Sequence, residues 1–407
     1  MTPLPRPSER RLALRITRDA LRQVRGGHPW VYGDSIESVS HEGRPGDLAV
    51  VFDDNRKFAA IGLWDPHSPI SLRILHVGKP TPIDEEFWHR AIAGALARRG
   101  ALVHSVETNA YRVVHGENDG LPSLVIDRYD RVVVIKLYSA AWFCHLEQVL
   151  AAVAEVLHPE AVVLRLARNV AAGDTHGLSD GQCISGTLTD EPVRYLENKL
   201  RFAAFPSTGQ KTGAFLDQRE NRALIRDLAE GRDVLDVFSY AGGFSVHAAA
   251  GGARSVHSVD QSPQAISAAR RHMHDNRADV GSTEHLTTAG DAFAVMADLV
   301  TTGRRFGLVI VDPPSFAQRQ TSVSGALKAY ARLTDLSLQL TAPDGLLFQA
   351  SCSSRVSAEQ FYVNVAETAR ARGLQLTEIE RTAHPVDHPI GFAQGAYLKA
   401  ILARVEH

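Results

Sequence analysis

The stretch Val234-Leu-Asp-Val-Phe-Ser-Tyr-Ala-Gly-Gly-Phe244 decides the fold of this chain. It joins a short apolar strand to a glycine-bearing turn, where the backbone can approach a ligand closely. Outward from it, short apolar strands alternate with longer helices, which is typical of βαβ units in a mostly parallel sheet covered on both faces. The predicted strands are 234–238, 255–260, 308–312, 345–349, 375–380 and 396–404, and the predicted helices are 217–230, 243–251, 262–276, 291–302, 326–341 and 357–372.

The residues before this alternation indicate two further domains. Short strands at 12–16, 48–52 and 70–74, separated by turn residues, predict a small β-rich module over residues 1–78. Strands and helices then predict a mixed α/β central domain over residues 79–190, and residues 191–407 hold the βαβ pattern. We therefore predict an α/β protein of three domains.

The composition excludes several classes of protein. The 407 residues are 44% apolar and 22% charged, which excludes wholesale disorder. Three cysteines without paired spacing, Cys144, Cys183 and Cys352, argue against a disulfide framework and a cysteine zinc site. Because we find neither an apolar run of about 18 residues nor an apolar leader, we expect a reduced, cytoplasmic protein with no membrane and no metal partner.

The first 25 residues are basic, although the whole chain has a formal net charge of −2. Seven arginines stand there against two acidic side chains: Arg6, Arg10, Arg11, Arg15, Arg18, Arg22 and Arg25 against Glu9 and Asp19. Such a patch can neutralise phosphates whatever the total charge is. A solvated face explains the same residues equally well, so both interpretations stay open.

Acidic residues lie at four successive strand ends, the third being the end of a strand just before Gly290, and ligands of an open α/β sheet bind beyond the carboxyl ends of its strands. They are Asp236, Asp260, Asp291 and Asp312. An acid at the place of Asp260 typically hydrogen-bonds ribose hydroxyls, and Asp291 could accept from an exocyclic amine. One such acid alone is more often a helix cap. Four in register, without the GxGxxG that a dinucleotide requires, indicate an adenosyl ligand such as S-adenosylmethionine.

A second motif, Gln210-Lys-Thr-Gly-Ala-Phe-Leu-Asp-Gln-Arg-Glu-Asn221, precedes the sheet. Asp217 followed by Glu220 fits a helix capping box. The other residues suggest a ligand: Gly213 would form a close-approach loop and Phe215 an apolar plate. Lys211 and Arg219 would supply cations for a carboxylate such as that of methionine.

Cys352 lies in Ser351-Cys-Ser-Ser354, just after an apolar strand. A lone cysteine is usually a small buried hydrophobe. At the carboxyl end of a strand next to the Asp312 loop, however, a cysteine would face substrate as a nucleophile. We expect Cys144 to lie in a helical core stretch and Cys183 in a glycine-rich loop without a role. His384 and His388 could reach the same end of the sheet, although loop histidines are more often structural.

Together these motifs resemble the RlmI-type family of S-adenosylmethionine-dependent large-subunit ribosomal RNA methyltransferases, which make 5-methylcytosine. The resemblance rests on residues 211–221, 236–244, 312–316 and 351–353. It extends to His28-Pro-Trp-Val-Tyr32 and Pro45-Gly-Asp-Leu48, which match the opening of the family's N-terminal PUA module, and to residues 116–127 at the start of its central domain. It therefore covers nearly the whole chain.

The resemblance implies a Rossmann-like class I methyltransferase domain with a mostly parallel seven-stranded sheet, and ribosomal RNA as partner. It implies Cys352 as the nucleophile, with Asp312 as a second catalytic residue. A homodimer is compatible with the sequence, which does not determine the oligomeric state. The residues implied around S-adenosylmethionine, or its product S-adenosylhomocysteine, are Lys211, Phe215, Asp217, Arg219, Asp236, Phe238, Tyr240, Gly242, Gly243, Phe244, Asp260, Gln261, Asp291, Ala292, Asp312 and Pro313.

The chemistry of a pyrimidine supports a cysteine independently. C5 is too poorly nucleophilic to take a methyl group directly, and addition of a thiolate at C6 makes it enamine-like. The loop Asp312-Pro-Pro-Ser-Phe316 lacks the second cysteine that many RNA 5-methylcytosine enzymes carry there. Water, Asp312 and His388 are therefore left as candidates for removing the C5 proton.

Four other functions are alternatives to this one. An N-methyltransferase acting on guanine also uses Asp-Pro-Pro-x-Phe loops but needs no cysteine, whereas a 5-methyluridine enzyme would use the same covalent route. A ribosome-assembly factor that binds RNA and cofactor without turnover would not need Cys352 and the strand-end acids intact. A nicotinamide oxidoreductase is disfavoured by the missing GxGxxG.

Overall fold

The computed structural model describes residues 4–189, 192–317 and 320–406. The chain forms two compact units. The first contains the residues up to Leu196 together with Ala203–Leu216 and Val386–Gly395, and the second contains Glu197–Phe202, Asp217–Pro385 and the residues from Ala396 onward. The predicted boundary between residues 190 and 191 lies outside the described residues. The division into three domains stays a prediction.

The N-terminal part of the first unit is a six-stranded sheet in the order β2-β6-β5-β4-β1-β3. Its strands are β1 (Leu12–Ile16), β2 (Trp30–Tyr32), β3 (Ile36–Val39), β4 (Leu48–Phe52), β5 (Phe58–Trp64) and β6 (Ile70–Val77). Helix α1 (Arg18–Arg25) begins at Thr17, whose hydroxyl accepts a hydrogen bond from the Ala20 N–H. Only Ala20, Leu21 and Val24 of this helix are buried, so its arginines face outward.

The first unit also contains a five-stranded sheet in the order β11-β10-β9-β8-β7. Its strands are β7 (Ala110–His115), β8 (Leu124–Tyr129), β9 (Val132–Leu137), β10 (Ala161–Leu166) and β11 (Gln182–Gly186), and the helices are α2 (Glu85–Ala97), α3 (Leu146–Leu157) and α4 (Arg168–Ala171). One core combines side chains of α2 and α3 with Ile126, Ile135 and Leu164 of the sheet. Cys183 lies in β11 and not in a loop, which corrects the prediction.

The helical stretch around Cys144 begins with a 3-10 helix, Ala140–His145, and continues as α3. Contrary to the prediction that no apolar run is long enough to span a membrane, Ala140–Leu157 meets the length and composition for it, with a mean hydropathy of 1.3 over 18 residues. Half of this window is buried, and Trp142 and Phe143 belong to the core of the unit. These contacts are those of a core helix.

A hairpin, β12 (Val193–Glu197) and β13 (Leu200–Ala204), leads into the second unit. That unit contains a seven-stranded sheet in the order β16-β15-β14-β17-β18-β20-β19. The strands are β14 (Asp233–Val237), β15 (Ser255–Asp260), β16 (Glu284–Ala289), β17 (Phe306–Val311), β18 (Thr341–Ser351), β19 (Gln375–Thr382) and β20 (Lys399–Glu406). The helices are α5 (Arg219–Leu228), α6 (Gly243–Ala250), α7 (Pro263–Asp275), α8 (Arg277–Val280), α9 (Ala292–Thr301), α10 (Val323–Leu340) and α11 (Ala358–Ala371).

Strands β14 to β18 run parallel, and β20 and β19 add antiparallel neighbours, so the predicted mostly parallel seven-stranded sheet is confirmed. The strand order reverses direction between β14 and β17. Ligands of doubly wound sheets bind in the crevice beyond the carboxyl ends of strands at such a switch point. We therefore expect the ligand site to include the residues that follow β14 and β17.

Candidate active site

The loop after β14 has an unusual backbone. Phe238 and Tyr240 have positive φ angles of 63° and 46°, and Gly242 has a φ of 76°. A Cβ at Gly242 would lie 2.7 Å from the Cβ of Ala269, so glycine is required for packing as well as for conformation. Non-glycine residues in this region cost free energy and gather at functional sites.

Asp236 is fully buried at the end of β14. Its Oδ2 accepts a 2.6 Å hydrogen bond from the Ser245 hydroxyl, whereas its Oδ1 accepts none from any described residue. Burial, reinforced by the charges of Asp312 and Asp260, raises the pKa of Asp236 to about 7. A buried acceptor that the protein leaves unsatisfied is unusual and fits a site for a ligand.

The acids after β15 and β16 are partly used by the backbone. Asp260 accepts 2.9 Å hydrogen bonds from the N–H groups of Tyr240 and Ser262, one on each oxygen. Asp291 is the N-cap of α9 and accepts from the Ala294 N–H at 3.0 Å. Because a carboxylate offers about four lone-pair sites, both residues keep acceptor capacity for a ligand.

The structure brings the two predicted catalytic residues to neighbouring strand ends. β17 and β18 are parallel partners, with Val311 opposite Gln349, and Asp312 and Cys352 follow them. The Cys352 thiol donates to the Pro313 carbonyl oxygen at 3.8 Å. The Asp312 N–H donates to the Val237 carbonyl, which ties the β17 end to the β14 end across the switch point.

The other predicted cofactor residues of the second unit have varied surroundings. Phe244 is 5% exposed and packs against Phe348, while Gln261 is exposed and Ala292 is buried. A Cβ at Gly243 would lie 2.9 Å from Cδ of Arg222, so this glycine is a packing requirement as well.

Asp217 and Glu220 do not form the predicted helix cap. Helix α5 begins at Arg219 after a 3-10 turn and has no side-chain cap, so the predicted capping box does not form. The Asp217 carboxylate instead accepts a 2.8 Å hydrogen bond from the Tyr397 hydroxyl. Arg219 is buried and pairs with Glu220 at 3.1 Å.

His384, also in the second unit, has a structural role. Its Nε2 accepts hydrogen bonds from the N–H groups of Tyr397 at 3.2 Å and Leu398 at 3.0 Å. Two donors at Nε2 place the ring proton on Nδ1. Together with the Asp217 contact, these bonds hold the chain just before β20.

Lys211 and Phe215 belong to the first unit, where the Lys211 ammonium lies 4.3 Å from the Phe215 ring centroid. The segment between them is anchored on the five-stranded sheet. The Thr212 hydroxyl donates to Asp127 at 2.6 Å, and the Ala214 N–H donates to the Tyr129 hydroxyl at 3.0 Å.

The anchor of this segment is itself held by an arginine that sequence reasoning missed. The Arg112 guanidinium donates to both carboxylate oxygens of Asp127, at 2.7 and 2.9 Å. Asp127 is the last residue of the segment 116–127 that carries the family resemblance, but no pattern along the chain indicated that Arg112 is its partner.

His388 likewise belongs to the first unit, whereas Cys352 belongs to the second. The His388 ring is 1% exposed, lies 5.0 Å from the His115 ring and has its Nδ1 3.3 Å from Asp387. Across the part of the chain that the structure describes, no group of three or more histidine, cysteine or acidic side chains is arranged to hold a metal ion.

Comparison with known proteins shows the family to which this chain belongs. Residues 123–404 match the model of the S-adenosylmethionine-dependent methyltransferases, and residues 14–76 match that of PUA-like domains. The chain belongs to the S-adenosylmethionine-dependent methyltransferase family. S-adenosylmethionine is therefore its cofactor, as predicted.

Relatives of this methyltransferase confirm the resemblance to the RlmI-type family. It is 45% identical over 408 residues to a ribosomal RNA large subunit methyltransferase of Deinococcus radiodurans, with 99% of each chain covered. It is 34% identical over 385 residues to ribosomal RNA large subunit methyltransferase I of Shewanella amazonensis, covering 93% of this chain and 95% of the relative.

Solved structures confirm the fold of the methyltransferase. A Streptococcus mutans chain assigned as a SAM-dependent methyltransferase superposes with a TM-score of 0.81 at 21% identity, covering 96% of this chain and 99% of that one. A second chain, crystallised with S-adenosylhomocysteine, gives the same TM-score and identity and covers 97% and 99%.

Proposed function

We propose that this methyltransferase transfers a methyl group to C5 of a cytosine in large-subunit (23S) ribosomal RNA, through a covalent bond between Cys352 and C6. The observation that carries the proposal is the place of Cys352, at the carboxyl end of β18 with its thiol 3.8 Å from the Pro313 carbonyl oxygen, beside Asp312. The relatives from Deinococcus and Shewanella are named as ribosomal RNA large subunit methyltransferases, which supports the RNA substrate. A ribosomal substrate also implies a cytoplasmic location.

The residues around the switch point fit the cofactor, because the buried Oδ1 of Asp236 lacks a donor and the strand ends carry acceptors. Asp260 would accept from the ribose hydroxyls and Asp291 from the exocyclic amine. When bound, S-adenosylmethionine supplies an electrophilic methyl group, which the activated C5 carbon accepts. The remaining implied residues of the second unit complete the proposed pocket: Asp217, Arg219, Phe238, Tyr240, Gly242, Gly243, Phe244, Gln261, Ala292, Asp312 and Pro313. Lys211 and Phe215 belong to the first unit, and their role toward the cofactor is what the resemblance implies.

The protein's own residues then perform three tasks. The Cys352 thiolate forms a bond to C6, and the displaced electron pair of the C5–C6 double bond makes C5 nucleophilic. In its protonated form, Asp312 donates a hydrogen bond at N3, or a proton that returns to it when the adduct breaks, and so withdraws electrons from the ring. After methylation a base removes the C5 proton, the double bond re-forms, the bond between sulfur and C6 breaks, and Cys352 leaves as a thiolate.

The target base must leave its stack to meet Cys352, which costs about a few kcal/mol in a duplex and less in a loop. Single-stranded or loop RNA is therefore the favoured substrate. Helix α1 is the proposed electrostatic contact to the RNA backbone, since Arg18 and Arg22 are 89% and 78% exposed. Their partners are acidic residues of the same surface, Asp54 and Asp19, which reduce the local charge.

The deciding experiment is mass spectrometry of nucleosides from large-subunit RNA of a deletion strain after incubation with the protein and S-adenosylmethionine. We expect 5-methylcytosine from the wild type and none from Cys352→Ala, which should still bind S-adenosylhomocysteine. Cys183→Ala, which changes a cysteine in β11, is the matched control and should keep the wild-type yield.

Each other outcome has a separate meaning. A methylguanine product that is indifferent to Cys352→Ala would keep the fold and the cofactor but overturn the covalent mechanism. A 5-methyluridine product that vanishes in this variant would keep the cysteine route and replace the base.

A further inference from the structure

A lysine is buried beside the proposed nucleophile. Lys399 is the first residue of β20 and lies opposite Ser351, the last residue of β18, in the antiparallel register of the two strands. Cys352 is the next residue after Ser351. Lys399 is only 5% exposed, although lysine is almost never buried without a partner.

Backbone carbonyl oxygens accept all three protons of this ammonium group. Lys399 Nζ donates to the carbonyls of Ser353, Val356 at 2.7 Å and Tyr397 at 3.2 Å. An ammonium has three donors, so its hydrogen-bonding capacity is used fully. Since Ser353 and Val356 belong to the turn that follows Cys352, Lys399 fixes the backbone conformation on the carboxyl side of the thiol.

Although all three protons of Lys399 are hydrogen-bonded, no carboxylate among the described residues balances its charge. None of the ion pairs within residues 4–189, 192–317 and 320–406 includes Lys399. Burial lowers the pKa of Lys399 to about 8, and the charge of Cys352 acts in the opposite direction. A buried charge is costly unless an opposite charge accompanies it. The charge that opposes this cost is that of Cys352 in its thiolate form.

Two further ionisable groups belong to elements packed next to the end of β18. Tyr330 of α10 shares a 2.8 Å hydrogen bond with Ser351, and its burial raises the pKa of the phenol, which keeps it neutral. Asp312 follows β17, and its carboxyl group, when ionised, disfavours a thiolate nearby. Of these three groups, Lys399 is therefore the one whose charge stabilises a thiolate at Cys352.

We propose that Lys399 is a positioning residue for Cys352, which holds the 353–356 turn and supplies a fixed positive charge that stabilises the thiolate. The inference deepens the proposed function and rests on it for the role of Cys352 as nucleophile. A cation beside a cysteine lowers the pKa of the thiol and so raises the fraction of thiolate at neutral pH. The same charge makes Cys352 a better leaving group when the adduct breaks.

The test is the pH dependence of alkylation of Cys352 by iodoacetamide in the full chain, followed by mass spectrometry of the peptide that contains it. The variants are Lys399→Met, which keeps the length and apolar stem but removes the charge, and Lys399→Arg, which keeps the charge. We expect Lys399→Met to raise the midpoint by about one pH unit, equivalent to roughly tenfold slower alkylation at pH 7. Lys399→Arg should restore most of the wild-type midpoint.

Methyl transfer gives a second readout. Lys399→Met should lower kcat at pH 7, recover part of the loss at higher pH, and leave KM for RNA unchanged, because thiolate formation and not RNA binding is impaired. An unchanged alkylation midpoint in Lys399→Met that still binds S-adenosylhomocysteine would overturn the inference. If Lys399→Met does not fold, a wild-type midpoint at or above that of a free thiol, about 8.5, overturns it as well.

Failure of the proposed function is distinguishable from failure of this inference. Methyl transfer that survives Cys352→Ala would remove the nucleophile. The alkylation midpoints would still report whether Lys399 stabilises the thiolate.

Discussion

Buried carboxylates of the first unit and of the second unit have opposite surroundings. In the first unit, Asp127 is fully buried and accepts two hydrogen bonds from the Arg112 guanidinium. Asp119 forms ion pairs with Arg98 at 2.7 Å and with Arg99 at 2.5 Å. In the second unit, Asp236 is equally buried but has one oxygen without a donor and other carboxylates among the charges acting on it. The comparison separates acids that the fold uses for itself from acids that it leaves for a ligand.

The largest effect should come from breaking a satisfied carboxylate. Asp127→Ala leaves the Arg112 guanidinium without its partner, and breaking a buried pair costs about 3–5 kcal/mol of unfolding free energy. All four tryptophans, Trp30, Trp64, Trp88 and Trp142, lie in the first unit, so their fluorescence during urea unfolding reports on that unit. Glu160→Ala, which breaks a pair with Arg131 that is 67% and 63% exposed, should cost less than about 1 kcal/mol. Equal costs would contradict the comparison.

A pH dependence should distinguish Asp236 from the satisfied acids. Since its folded pKa is raised to about 7 from 3.8, its contribution to stability is fully present below pH 3.8 and is lost as the pH rises through 7. Asp236→Asn removes this dependence. The difference in unfolding free energy between wild type and Asp236→Asn should fall by roughly 2 kcal/mol from pH 5 to 7.5 without cofactor. Hydrogen exchange of the β14 amides is the measurement, and parallel pH profiles would refute the role of burial.

Removal of an acid at a strand end should weaken cofactor binding without unfolding the sheet. We expect Asp260→Ala to raise the Kd for S-adenosylhomocysteine roughly 10- to 100-fold, because hydrogen bonds to charged groups contribute about 1.5–3 kcal/mol. Asp233→Ala is the matched control, since Asp233 begins β14 at the opposite end of the same sheet and contacts Ser255. Calorimetric titration should show no change for Asp233→Ala. A similar loss of affinity in both variants would mean that the acid at the carboxyl end of the strand does not bind the cofactor directly.

The smallest effect should come from the exposed charges of α1. Arg18→Glu and Arg22→Glu should each weaken RNA binding a few fold and lower the slope of log affinity against log salt by about one or more, with cofactor affinity unchanged. Arg131→Glu, an exposed arginine far along the chain from α1, is the control. A filter-binding series over salt concentration checks this. An unchanged slope would leave α1 as a solvated face, the alternative that its composition left open.

Some elements were predictable because their signal is local. The strands β1 and β4 have the predicted bounds, because each is a mostly apolar run bounded by polar or turn residues, and β15 also has its predicted bounds. Helix α1 was missed, since only three of its eight side chains reach the core and the arginines dominate its pattern. The cap predicted at Asp217 failed because a partner 180 residues away, Tyr397, takes its carboxylate.

The sequence by itself indicated the family through the resemblance of its motifs, the cofactor, and the alternation of strands and helices in the second unit, because glycine turns, strand-end acids and apolar periodicity act within a few residues of chain. It also indicated Asp312 and Cys352 as neighbours, since parallel strands place their carboxyl ends along one edge. Only the tertiary structure decided that Arg112 holds Asp127 and that Lys399 lies beside Cys352. Their packing depends on burial and hydrogen bonding between distant segments, such as the bond from Arg112 to Asp387 across 275 residues, and no local pattern encodes such contacts.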